Sequence, residues 1–129
     1  MRGYNPYDQY KKTQIETANP AELITLLYDE AIKKCKMACK AIEDSKPDLA
    51  HEQLIKTQAI IDELYFSVNK EQGGEIADNL LALYDYLKRR LIEANIKKDV
   101  VIINEVINMV TELRQTWQEA AKIGAKGNA

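Results

Sequence analysis

The chain has 129 residues, 18 basic and 20 acidic side chains, and a formal net charge of -2. That length holds one core, and the near balance of charge argues against nucleic acid as the main partner. One His, five Gly and three Pro leave little material for a His-rich metal centre or for an all-β fold with many turns.

The first 18 residues read as an N-terminal strip in which Tyr4, Tyr7 and Tyr10 recur at a spacing of three, with Pro6 between them. The strip has no apolar signal-peptide region. No run of about 18 apolar residues follows that would span a membrane, so a cytoplasmic location is expected. Two readings stand side by side: a tail packed on a bundle end, and a flap over an apolar groove. Tyr suits both, with its apolar ring and polar tip.

A first helix is predicted from Asn19-Pro20, an N-cap followed by Pro at the first helical position, with Glu22 completing a capping-box pattern. Ile24, Leu27, Tyr28, Ala31, Cys35, Ala38, Cys39 and Ile42 draw one stripe, and the helix should stop near Asp44. Cys35 and Cys39 read as reduced core thiols. After Ser45 to Asp48, a second helix carries Ala50, Leu54, Thr57, Ile61, Leu64 and Val68. Asn69 to Gly74 breaks it. The third carries Ile76, Leu80, Leu83, Tyr84, Leu87, Leu91 and Ala94, ending in a turn from Asn95 to Asp99. Asp99 can cap the fourth, which carries Ile103, Val106, Ile107, Val110, Leu113, Trp117 and Ala121. Residues 19–123 thus form the bundle and 124–129 a frayed tail.

Long helices with short connections imply an all-α fold, an antiparallel up-down-up-down four-helix bundle. A pair of hairpins that dimerise is the alternative. Some apolar residues lie off the stripes. Ile55 and Phe66 sit about 120–140° from the second stripe, and Leu81 and Ile92 about 100° from the third, at 100° per residue. Leu26 and Val101 also face away. The second and third helices therefore carry a second apolar face, suited to a partner's amphipathic helix.

Several chemistries are set aside. A di-metal carboxylate site needs paired Glu-x-x-His motifs, and His51 is the only His; it reads as a solvated helix residue. Gln72-Gly73-Gly74-Glu75 is not followed by Gly-Lys-Ser/Thr, so it is not a phosphate loop. No nucleophile–base pair is readable. Lys88-Arg89-Arg90 and Lys97-Lys98 suit a helix C-terminal dipole or an acidic partner. Asp29 and Asp85 are expected to hold a neighbouring helix or loop by hydrogen bonding.

The segment from Thr17 to Asp29, Thr-Ala-Asn-Pro-Ala-Glu-Leu-Ile-Thr-Leu-Leu-Tyr-Asp, resembles the hallmark segment of the bacterial flagellar secretion chaperones, the FliS family, as does Tyr7-x-x-Tyr10 ahead of it. The resemblance continues through Ile60 to Leu64, Gly73 to Ala77, Leu83 to Tyr86, Leu91-x-x-Ala94-Asn95, and Glu112-Leu113-Arg114 with Trp117. Glu30 stands where the family commonly has Gly, and Asn19 where Ser is frequent. The resemblance implies a cytoplasmic, non-enzymatic bundle that binds the C-terminal segment of flagellin, blocks premature polymerisation and hands the subunit to the flagellar export gate. It implies no cofactor, nucleotide or metal. The residues expected to bind the partner are Tyr7, Tyr10, Ile55, Ile60, Leu64, Phe66 and Leu81. Tyr7 and Tyr10 rest partly on the family motif, the others on helix-face geometry. The competing reading is a structural or oligomerisation bundle without a secreted client, in which the same residues pack on a second copy; neither reading needs nucleic acid or membrane insertion.

Overall fold

The computed structural model describes residues 20–127, with side chains described for 21–120. Tyr7, Tyr10 and the expected flap lie outside the described residues. Four helices follow one another: α1 (Pro20–Glu43), α2 (Pro47–Ser67), α3 (Lys70–Lys97) and α4 (Val100–Gly127). Each packs on its neighbours in sequence, and α4 packs back on α1. The expected all-α antiparallel bundle is the fold.

The chain reversals follow from local chemistry. At the end of α1, Ser45 takes a left-handed conformation (φ 58°). The amides of Ser45 and Lys46 then reach back to the carbonyls of Ile42 (3.1 Å) and Ala41 (2.8 Å). This Schellman pattern satisfies carbonyls that the helix end leaves free, and Pro47 opens α2 without needing a donor. Lys98 ends α3 the same way (φ 50°). Its ammonium holds the conformation by donating to the carbonyl (2.5 Å) and Oδ1 (2.8 Å) of Asn95. Asp99 then caps α4, its Oδ1 accepting from the Val101 amide at 2.8 Å.

Between α2 and α3 the sequence predicts one long break, and the structure divides it in two. Val68 is extended, and Asn69 caps a new turn by accepting from the Gln72 amide at 3.1 Å. That turn meets the rest of α3 at a kink at Gly74 (φ 54°, ψ -128°). Gly73 has a separate reason: a Cβ there would stand 2.6 Å from that of Ala77. Gly74 has open space but a backbone that L-residues avoid. Gly74→Ala is therefore expected to lower stability by about 1 kcal/mol, read as a lower urea midpoint at unchanged slope. An unchanged midpoint would mean that the kink relaxes without cost.

The core holds Tyr28, Ala31, Cys35 and Ala38 from α1, Leu54, Ile61 and Leu64 from α2, Tyr84, Leu87 and Leu91 from α3, and Ile103, Val106 and Val110 from α4. Small residues on α1 allow close approach, and large ones opposite fill the space. Tyr28 and Tyr84 reach across the diagonal of the bundle, and their hydroxyls meet at 2.6 Å.

Several expectations are corrected. The core face of α3 runs through Ala77 and Leu81, not Ile76 and Leu83: Leu81 is 9% exposed and Ile76 78%. Ala77 takes the buried position, and Ile76, about 100° away on the same helix, faces outward. Helix α4 continues past Gly124 to Gly127, since one Gly costs only about 1 kcal/mol in a helix. His51 is exposed as expected, yet its Nδ1 lies 2.9 Å from Nδ2 of the buried Asn95. Lys98 is a donor and claims Oδ1 of that amide, so Asn95 presents its NH2 to His51, whose Nδ1 accepts. The basic run on α3 neither caps a helix end nor stands free. Lys88 pairs with Asp62 on α2 (2.7 Å), and Arg90 with Glu105 on α4 (3.0 Å). Asp29 does hold a neighbouring helix through Arg114, whereas Asp85 pairs with Arg89 on its own helix (3.3 Å).

Burial also sets an alkaline limit. Desolvation pushes the Cys35 thiol up to about 12, and it raises both Tyr28 and Tyr84. Groups whose folded pKa is raised stabilise the fold fully below their unfolded values, and the contribution fades as pH climbs toward the folded ones. The expected result is a thermal midpoint insensitive to these groups at neutral pH. It should fall from about pH 9 upward, where unfolded Cys and then Tyr ionise. Cys35→Ala should flatten the first part of that fall; an identical fall in that variant would remove Cys35 as its cause.

Candidate partner-binding surface

Two apolar patches lie on the outer face formed by α2 and α3. Near the C-terminal end of α2, Phe66 is 80% exposed, and its ring meets that of Tyr65 edge to face at 5.4 Å. A depression of about 150 Å³ lies beside them, lined by Asp62, Tyr65, Phe66, Tyr84, Asp85 and Lys88 among others. Toward the other end of the bundle, Ile55 on α2 and Ile92 and Ile96 on α3 are exposed, Ile96 at 80%. The Asp62–Lys88 ion pair bridges the two helices between the patches. Ile55 and Phe66 are three turns apart, about 16 Å at 1.5 Å per residue, and lie on nearly one line of α2.

A larger apolar cleft of about 630 Å³ opens at the end of the bundle where α1 and α3 begin. Ile24, Val68, Ile76, Leu80, Tyr84 and Trp117 are among its walls. Trp117 is held in place by its indole N–H, which donates to the Ala21 carbonyl at 3.3 Å. The capped turn before Gly74 supplies Gln72 and Gly73 to one side. The kink therefore shapes the cleft as well as the chain path.

The residues expected to bind a partner divide between surface and core. Ile55 and Phe66 are exposed on one face, as helix geometry implied. Ile60, Leu64 and Leu81 are core residues, and Leu64 has no exposed surface at all. They can support a binding face from beneath; as folded, they offer a partner little or nothing to touch. Sequence reasoning missed Ile76, Ile96 and Tyr65. Ile76 was assigned to the core stripe and Ile96 to a turn. Only the continuation of the α3 pattern through Asn95 would have exposed Ile96.

Charged and polar side chains brace this side of the bundle. Glu105 on α4 accepts from Tyr86 (2.8 Å) and Arg90 (3.0 Å) on α3. These donors, Arg90 foremost, hold its carboxyl below the usual range. Among the described residues no group of three or more His, Cys, Asp or Glu side chains is arranged to hold a metal ion. No described helix is long and apolar enough to cross a membrane.

The comparisons agree with the resemblance read from the motifs. The family model described as flagellar protein FliS matches residues 3–124. The flagellar secretion chaperone FliS of Bacillus subtilis is 40% identical over 116 residues, spanning 90% of this chain and 86% of that one. The Salmonella typhimurium protein of the same name is 34% identical over 119 residues, spanning 91% and 88%. A crystal structure of a bacterial flagellar chaperone superposes with a TM-score of 0.76 at 20% identity, covering 91% of this chain and 98% of the other, a likeness of fold. On the family match and these identities, the chain belongs to the FliS family of flagellar secretion chaperones.

Proposed function

We propose that this chain is a cytoplasmic, non-enzymatic chaperone that binds the C-terminal segment of flagellin, keeps it from polymerising early and accompanies it to the flagellar export gate. The observation that carries this reading is the exposed apolar surface on α2 and α3, in particular Phe66 and Ile96, with the cleft beside Ile76. A filament subunit must later bury an apolar face against its neighbours, and that face invites aggregation while free. A bundle that folds the segment on its own surface meets the ordering entropy with buried apolar area. Affinity then comes from a few aromatic and aliphatic anchors along the track. The family motif Tyr7-x-x-Tyr10 supports a further contact from the N-terminal strip.

Calorimetric titration of the full chain with a C-terminal flagellin fragment should give a 1:1 complex with a sub-micromolar Kd, that is, more than about 8 kcal/mol. The heat capacity change should be negative as apolar surface is buried. Failure to bind both the fragment and full-length flagellin would overturn the reading. A dimer that persists at nanomolar concentration in sedimentation and hides Phe66 would favour the oligomerisation bundle instead.

A further inference from the structure

We propose that the outer groove along the α4-facing edge of α1 docks an acidic amphipathic helix of a second protein, on the side of the bundle opposite the α2–α3 track. The groove measures about 470 Å³ and is lined by Asp29, Ile32, Lys33, Lys36, Met37 and Lys40. Its sign is set by position. Lys33, Lys36 and Lys40 are all exposed and recur at steps of three and four, so they form one stripe about 10 Å long. The acidic residue lining the groove, Asp29, is already held by Arg114 of α4. Among the described residues Lys40 pairs with the exposed Asp44 at 3.3 Å, a pair that salt and water weaken. Lys36 makes no ion pair among the described residues.

Cys39, on the same side of α1, lies against Asn104 of α4 (4.0 Å), which places α4 beside this edge. Asn104 is exposed and neutral. In a chain with a formal net charge of -2, this lysine stripe puts cationic groups along one helix edge, where they would orient an acidic partner. The floor selects a helical peptide among anionic partners. Met37 is 42% exposed and Ile32 lies beside it, an adaptable apolar base for a side chain projecting from a partner helix. Among the described residues no aromatic ring lines the groove for bases to stack on. Because α1 and α4 adjoin on the far side from the α2–α3 seam, both faces can be engaged at once.

Two synthetic three-turn peptides test this against the full chain by fluorescence anisotropy. Both carry a Leu stripe; one flanks it with Glu, the other with Gln. The Glu peptide should bind at least about tenfold more tightly at low salt, and the preference should shrink as salt screens it. The variant Lys33→Gln/Lys36→Gln/Lys40→Gln should lose the preference while keeping the helical signal and thermal midpoint, since all three side chains are exposed. Met37→Ser should weaken both peptides alike. Equal binding of the two peptides, or a preference that survives the triple Lys variant, would overturn the proposal. So would co-sedimentation with phosphatidylserine vesicles that needs the same lysines when neither peptide binds.

Discussion

Removing the Tyr84 hydroxyl alone, as Tyr84→Phe, should destabilise the bundle by about 1–3 kcal/mol, and removing its partner as well should restore most of that loss. Tyr28 and Tyr84 are 1% and 2% exposed, and their oxygens are 2.6 Å apart. A single Phe leaves the surviving hydroxyl buried without its partner, and that group loses its hydration with no compensating bond. The double variant Tyr28→Phe/Tyr84→Phe keeps both rings and buries no polar group, so it should lie near wild type. Urea midpoints of the four proteins close the cycle, and a coupling of at least 1 kcal/mol is expected for groups in direct contact. Two near-neutral single variants, or a double variant as unstable as the sum of the singles, would show that water or a rotamer change replaces the bond. The pair joins α1 to α3, helices that face each other diagonally and run in the same direction. A polar pair in such a place disfavours sliding of one helix along the other, because any shift buries both hydroxyls unpaired.

This pair also marks where sequence reading stops. Tyr28 and Tyr84 were each legible as core positions from spacing alone, as were the start of α2 near Pro47, the Asp99 cap and most of the stripes of α1 and α2, with Val68 falling outside α2 and Ile60 joining its core. Their contact was not, because it depends on which helices end up diagonal. The same holds for Asp29 with Arg114 and for Lys88 with Asp62, whose partners lie far along the chain. The first half of α3 was misread for a different reason. Periodicity weighs residues by hydrophobicity, so Ile76 outranked Ala77, but packing weighs them by fit. Gly73 leaves room for the Ala77 methyl one turn on, Ala77 is buried, and Ile76 is left for the surface. That error concealed one wall of the end cleft. Ile96 was hidden by Asn95, read as a turn residue because of its polarity, although its side chain is buried between His51 and Lys98. The outward placement of Ile55 and Phe66 was legible because it needs only one helix and its stripe.

Phe66→Ser should weaken binding of the flagellin fragment by about a hundredfold, roughly 2–3 kcal/mol, the scale of an aromatic anchor at an interface. The same change should move the unfolding free energy by no more than about 0.5 kcal/mol, as expected for an exposed position, apart from the edge contact with Tyr65. A large stability loss with unchanged affinity would give Phe66 a folding role instead. Ile96→Ser probes the other patch. The patches are separated by the Asp62–Lys88 bridge and by roughly three helical turns, about 16 Å along α2. That spacing exceeds the range over which side-chain effects usually couple. If one client segment spans both patches, the two losses should add on a logarithmic scale in the double variant. If Ile96→Ser leaves affinity unchanged while Phe66→Ser abolishes it, the client is confined to the Phe66 end and the adjoining cleft. Loss of additivity in the other direction, with either change alone removing all measurable binding, would mean that the segment orders cooperatively along the track. Its folding would then depend on both anchors at once, as coupled folding and binding of a disordered segment allows.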